Sequence, residues 1–326
     1  MAQGDHKEAP AVKKVACVGI LVADVMADPV GSYPAPGELM RVNSITLHNG
    51  GNAMTAAVNL TKMGTDAKMV GKVGDDMFGV YLKECLGRAG VDTRGLRSDP
   101  ETQTSVSLVL LDPSGERSFL HCVGTNGVLS VDDMDWDIIA ETDMVFVTGS
   151  FLMDRFDGEE TATFLKKCKE MGKTTFLDVC WDAKGRWSEV MDCAMPYIDY
   201  FMPSIDEAVR LAGCEDPDAI ADVFMSKGVS NVVIKLGKKG AYLRLCGEAR
   251  GRVFPALGNV KRVDTTGAGD SFCSGFLAAY ARDKDPEFCV NFANTVGALC
   301  VTAKGATAGT LGYDETVRKM NEFMGV

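Results

Sequence analysis

Histidine is scarce in this chain of 326 residues: it has only His6, His48 and His121. Chemistry that needs a cluster of imidazoles is therefore not expected, and a catalytic base is expected among the carboxylates. Cysteines are present but not paired in sequence. Eleven lie scattered from Cys17 to Cys300, and no two form C-x-x-C. That scatter, and the odd number, argue against a zinc ribbon, a dithiol redox site and a full set of internal disulfides. Reduced thiols in a cytosol fit the pattern. Positive charge is in deficit: 34 Lys and Arg against 45 Asp and Glu leave a net charge of −11, without the basic footprint of a nucleic-acid binder. No uncharged apolar run reaches ~18 residues, so no membrane-spanning helix is expected. The run 15–23, preceded by Lys13 and Lys14, has the outline of a signal peptide. Asp24 interrupts it early and a polar segment precedes it, so it reads as a buried first strand of a cytoplasmic protein. Neither G-x-x-x-x-G-K-[ST] nor a G-x-G-x-x-G after the first strand occurs, which removes the usual P-loop and dinucleotide-binding readings.

The composition that remains is globular: 46 % hydrophobic and 24 % charged, not that of a disordered chain. The length suits about two domains or one large α/β domain, and needs no metal or disulfide to fold. Apolar runs at 15–23, 67–73, 144–148, 174–179, 200–203 and 231–236 read as strands. Amphipathic stretches at 52–63, 77–89, 158–171, 206–212, 217–227, 269–282 and 286–304 read as helices. Strands apolar throughout and separated by helices predict a mainly parallel sheet covered on both faces. Residues 32–48 and 103–123 break this rhythm. In the second, two alternating stretches flank Asp112-Pro113-Ser114-Gly115, which predicts a hairpin with Arg117, Phe119 and His121 on one face. Both segments are expected to form a small β lid on the α/β body, and residues 1–12 a flexible tail.

The segment richest in chemistry is Val263-Asp264-Thr265-Thr266-Gly267-Ala268-Gly269-Asp270, followed by Phe272, Phe276, Leu277 and Tyr280 at helical spacing. A glycine-rich turn entering a helix gathers unpaired N–H groups and the positive end of the helix dipole, which is an anion site. The N–H groups of Gly267, Ala268 and Gly269 are expected to face that anion. Asp270 beside it suits removal of a proton from a hydroxyl attacking a phosphoryl group; alone, it is equally an acidic residue in a first helical turn.

This string, continued by Ser271-Phe272 and Gly275-Phe276, resembles the C-terminal signature of the PfkB (ribokinase-like) family of sugar and nucleoside kinases. A second signature of that family is similar to Gly50-Gly51-Asn52-Ala53 with Val70-Gly71-Lys72-Val73-Gly74-Asp75-Asp76-Met77-Phe78-Gly79. The resemblance spans roughly residues 14 to 312. It implies a ribokinase-like three-layer α/β/α body over 13–326 with a small β lid, acting as an ATP-dependent carbohydrate kinase with Mg²⁺. A nucleoside kinase of the same fold and a non-catalytic sugar-binding relative are the alternatives.

The resemblance also implies roles. Asp270 would be the base and the Gly267–Gly269 turn the anion hole. Asp24, Gly50, Gly51 and Asn52 would hold the sugar; Asp24 closes the expected first strand, where parallel sheets place ligands. Thr55 stands where many members have Asn. Lid residues Arg117 and His121 would contact substrate. Ser204, Lys235, Gly237, Gly240, Asn294 and Gly305 would line the nucleotide site, though Asn294 is equally readable as a buried, satisfied amide. Glu207 in Pro203-Ser204-Ile205-Asp206-Glu207 would orient Mg²⁺ through water, or close a capping box with Ser204. Asp264 and Thr266, with Gly305, match positions around a monovalent cation, K⁺ in particular. Asp178-Val179-Cys180-Trp181-Asp182 stands where many members have D-P-N-x-R; Trp181 and Trp187 would stack on substrate or pack internally. A homodimer through the lid strands is expected, because it would cover open β edges.

Overall fold

The alternation of apolar side chains along each central strand builds three layers. The computed structural model describes residues 11–114, 116–258 and 260–325; most of the expected tail, and Gly115 of the expected hairpin turn, lie outside them. In chain order the elements are β1 Val15–Gly19, β2 Val22–Asp28, β3 Ser44–Gly50, α1 Asn52–Lys62, β4 Ala67–Gly74, α2 Met77–Arg88, β5 Leu96–Asp99, β6 Val106–Leu111, β7 Arg117–Cys122, α3 Trp136–Ala140, β8 Met144–Ser150, α4 Glu159–Glu170, β9 Thr174–Val179, α5 Ser188–Met191, β10 Tyr200–Phe201, α6 Ile205–Ala212, α7 Pro217–Ser226, β11 Asn231–Lys235, β12 Ala241–Arg244, β13 Arg252–Phe254, α8 Ala268–Tyr280, α9 Pro286–Cys300 and α10 Tyr313–Met324.

Nine strands form the main sheet in the order β13-β12-β11-β10-β9-β8-β1-β4-β5. It is parallel from β5 to β11, and β12 and β13 close it antiparallel. Along β1, Val15 and Cys17 join one buried cluster with Met54, Leu60, Phe276 and Phe292. Ala16 and Val18 join the other, with Phe164, Leu165, Phe201 and Phe224. That division along a single strand is what a sheet buried on both faces requires. Emptying one of these sites, as in Phe276→Ala, costs about 3–5 kcal/mol.

The expected strand 15–23 is two strands. The chain leaves the main sheet at Leu21, whose N–H and C=O are both taken by the buried Asn126 amide at 3.2 and 2.9 Å. Asn126 thus stands in for a neighbouring strand, and β2 is released into a second sheet, ordered β3-β2-β6-β7. This lid sheet therefore draws on Val22–Asp28 as well as the two expected segments, and residues 29–43 are irregular. Its root is tied to the body by Asp76, the N-cap of α2. The carboxylate accepts from Gly79 N at 2.8 Å, from Thr104 N at 2.7 Å and from the Thr104 hydroxyl at 2.8 Å. Helix α9 ends at Cys300, short of the expected 304, because 301–309 turns back onto the loop before α8: Val263 N donates to Val301 O at 2.7 Å. Helix α10 was not expected; it packs on α9 through stacked Tyr313 and Phe292 rings, centroids 4.7 Å apart.

Candidate active site

The C-terminal ends of β1, β9 and β11 meet the N-termini of α1 and α8, which places Asn52, Asp178, Lys235 and Asp270 around one point. Asp270 lies in the first turn of α8, and its Oδ1 accepts from Asn52 Nδ2 at 2.7 Å. Burial raises the Asp270 pKa; Lys235 and Asn52 oppose the rise, and the Glu207 charge adds to it. Asn52, expected at the sugar, thus has its NH₂ on the Asp270 carboxylate. Lys235 Nζ lies 2.6 Å from Asp178 Oδ2 and 3.8 Å from Cys273 Sγ. Burial works against the ammonium charge, but Asp178, Cys273 and Glu207 outweigh it and keep Lys235 protonated.

The anion turn forms because Gly267 caps α8 at φ 71°, a left-handed conformation, and because a Cβ there would overlap Ala306. Only glycine satisfies both conditions. One expected donor is corrected: Ala268 N–H turns back to Thr265 O at 3.3 Å. The N–H groups of Gly269 and Asp270 fall in the first turn, where the helix has no acceptor for them. With the helix dipole behind them, these N–H groups form a place where an anion fits.

Next to this turn opens a cavity of ≈ 560 Å³ lined by Ser204, Lys235, Gly237, Gly240, Gly269 and Asn294, with Leu236, Leu257, Val260 and Val301 as apolar wall. Its size and mixed lining suit a nucleotide. Leu257 and Val260 carry no sequence signal and were missed. Asn294 is a satisfied amide: its Nδ2 donates to Phe254 O and Pro255 O, each at 3.2 Å. Gly305 is not in the cavity wall; its N–H donates to Asp264 Oδ2 at 2.8 Å.

On the other side of Asp270 the lid carries a polar row. The register sets His48 opposite Asp24, Asp24 opposite Ser107, and Ser107 opposite His121, so all four share the sheet face turned to the body. Ser107 Oγ is 3.0 Å from His121 Nδ1. Burial raises Asp24 to about 6, with Ser107 and Arg117 opposing, and burial lowers His121. Gly50 lacks a side chain because the Asp24 carboxylate fills that space. Asp24 thus stands on a lid strand and not at the end of a body strand. His48 and Ser107 were missed, although the alternation that grouped Arg117 with His121 applies to them too. Thr55 is 1 % exposed in α1. Arg117, expected at the substrate, donates instead to Asp264 Oδ1 at 2.7 Å. Asp264 also accepts from Thr266 N at 2.9 Å. Burial disfavours its charge, but the N–H groups of Gly305 and Thr266 and the Arg117 guanidinium prevail and hold it at about 2.

Asp264 thus accepts from three donors, the Arg117 guanidinium among them, while the Thr266 hydroxyl beside it is buried without a partner. Glu207 closes the capping box of α6, accepting from Ser204 N at 2.7 Å, and its charge reaches Asp178, Lys235 and Asp270. Among the described residues no group of three or more His, Cys, Asp or Glu could hold a metal. Mg²⁺ keeps most of its waters and binds through few protein groups and substrate phosphates, so Glu207 and Asp178 fit as acceptors for metal-bound water. Asp182, in the segment after β9, holds the turn that follows: it accepts from Lys184 N at 3.0 Å, from Trp187 N at 2.8 Å and from Arg186 N. Trp181 packs edge-on against Trp187, centroids 5.1 Å apart.

A buried carboxylate at a glycine-capped helix start, with a nucleotide-sized cavity on one side and a row of polar side chains on the other, is the arrangement of a small-molecule kinase. The chain belongs to the pfkB family of carbohydrate kinases, whose family model matches residues 12–311. It is similar to a fructokinase of Klebsiella pneumoniae, 29 % identical over 283 residues, covering 83 % of this chain and 91 % of that protein. It is also similar to a ribokinase of Haemophilus influenzae, 27 % identical over 307 residues, covering 91 % of this chain and 96 % of that protein. Among solved structures, the Arabidopsis thaliana ribokinase complexed with ribose and ATP aligns with a TM-score of 0.81 and 26 % identity, covering 95 % of this chain and 99 % of that one. The ribokinase-like α/β fold expected from the sequence is thereby established.

Proposed function

We propose that this kinase transfers the γ-phosphoryl group of ATP to a hydroxyl of a free sugar or sugar derivative, with Asp270 as general base. The observation that carries the reading is the Asn52–Asp270 hydrogen bond of 2.7 Å. It occupies Oδ1 and leaves Oδ2 to accept the hydroxyl proton, between the cavity and the lid row. Asp24, with Ser107 and the two histidines beside it, accepts and donates to the remaining hydroxyls. The attacking oxygen forms its bond to the γ-phosphorus as its proton passes to Asp270, and ADP leaves in line. The N–H groups of Gly269 and Asp270 receive the developing charge at a point fixed before the reaction begins. Mg²⁺, bound to the phosphates, would neutralise part of that charge, its waters oriented by Glu207 and Asp178. The lid excludes water, so the phosphoryl group goes to the sugar.

The names of the relatives, a fructokinase and a ribokinase, and the all-polar row beside Asp24 favour a free sugar over a nucleoside. The exposed Phe119 and Tyr33 of the lid are the shelf a nucleoside base would use. ADP release with ribose, fructose, 2-keto-3-deoxygluconate and nucleosides decides between them. Turnover with a sugar supports the reading. Tight sugar binding without ADP from any member of the panel would mark a non-catalytic binder.

A further inference from the structure

Cys180 follows directly on β9, and its Sγ lies 3.3 Å from Asn52 Oδ1. The other end of the same amide is the Nδ2 that donates to Asp270 Oδ1 at 2.7 Å. A side-chain amide has one accepting and one donating end. A carboxylate only accepts, and a thiol S–H donates. Both neighbours therefore select the same orientation of Asn52, and each alone would hold it less firmly. We propose that Cys180 is a positioning residue for phosphoryl transfer: its S–H holds the Asn52 amide so that the NH₂ stays on Asp270 and aims the catalytic carboxylate. The proposal rests on Asp270 being the base, as read above.

The surroundings suit a thiol that never ionises. Burial, with the charges of Asp270, Asp178 and Glu207, raises the Cys180 pKa well above its ordinary value, and Lys235 only partly opposes them. The S–H donor is thus present across the working pH range. The charged groups around Asp270 are Lys235, Glu207 and Asp178. None of them is hydrogen-bonded to the Asn52 amide, so none replaces Cys180 in setting its orientation. Without the S–H the amide can turn. Its oxygen then faces the carboxylate, and the Asp270 anion loses a hydrogen bond that favours it.

The test compares Cys180→Ala, which removes the donor, with Cys180→Ser, which keeps one. Log kcat at saturating sugar, which is free of the Asp24 effect on KM, is measured from pH 5 to 9 on the full chain, together with the melting temperature. In Cys180→Ala the acid limb should move up by about 0.5–1 pH unit, the effect of weakening but not abolishing one hydrogen bond to a charged group. Activity on that limb should fall roughly 3- to 10-fold and recover towards high pH, while Cys180→Ser keeps the wild-type limb. Cys180→Val serves the same comparison should the alanine variant not fold. A limb unmoved in the donor-less variants, with activity lower at every pH, would assign Cys180 to packing alone and overturn the proposal. A wild type with no acid limb would instead overturn the assignment of Asp270, and this proposal with it.

Discussion

Arg117, the first residue of lid strand β7, donates to Asp264 Oδ1 across 2.7 Å, and Asp264 in turn receives the N–H groups of Thr266 and Gly305 around the anion turn. One ion pair therefore joins the lid, proposed to hold the sugar, to the glycine-rich turn, proposed to meet the phosphoryl group. Its side chains are only 22 % and 8 % exposed, so water screens it less than it would a surface pair. Breaking it leaves a largely buried carboxylate without its counter-charge. In Arg117→Met, kcat/KM for the sugar should fall about 10- to 100-fold, a loss of roughly 1.4–2.7 kcal/mol in transition-state stabilisation. Steady-state kinetics check this; a variant within twofold of wild type would leave the pair without a function.

Asp270→Asn tests the base directly. The amide keeps the shape but cannot take the proton, and its own NH₂ would compete with that of Asn52. Turnover should fall roughly 10²- to 10⁴-fold, while nucleotide and sugar affinities, read by calorimetry, stay within a few-fold. Near-normal kcat would remove Asp270 from the mechanism.

The body of the fold and the glycine-rich site were legible because they are local. Strand and helix periodicities, and a turn leading into α8, are written in consecutive residues. What was not legible depends on partners distant in sequence. The break after β1 is made by Asn126, Asp178 is set against Lys235 from another strand, and Asn52 is drawn to Asp270 from another helix. Arg117 shows the limit well. Alternation placed it on the correct face of β7, but which of Asp24 or Asp264 it would pair with is decided by how the lid sits on the body.

Asp24 links stability to function. Its pKa is raised from 3.8 to about 6 by burial, so its ionised form is disfavoured in the folded state. For a carboxylate raised in this way, the fold is penalised above about pH 6, and the penalty disappears as pH falls towards 4. Asp24→Asn should therefore be more stable than wild type at pH 7.5, by about 1–2 kcal/mol after allowing for partial solvent screening. The gain should vanish near pH 4, and denaturant melts at the two pH values check it. Sugar binding should move the other way. The ionised form accepts hydroxyl protons, so KM for the sugar rises in wild type as pH drops below about 6 and is high at every pH in Asp24→Asn. A destabilised variant that retained wild-type KM would contradict both halves of this account.

The second face of the lid predicts an assembly. The alternation that turns Asp24, Ser107 and His121 to the body turns Ile45, Leu47, Leu108 and Leu120 outwards, where they are 68 %, 38 %, 44 % and 51 % exposed. Strands β3 and β7 also end the lid sheet with open edges. A contiguous apolar face on an open sheet is an association surface, and a second copy of the lid would cover it. Light scattering at micromolar concentration should give twice the mass of the 34.9 kDa chain. Leu108→Glu should return that mass to one chain while leaving Asp270 and the cavity untouched. A monomeric wild type would exclude this dimer, and a dimer that survives Leu108→Glu would place the contact elsewhere.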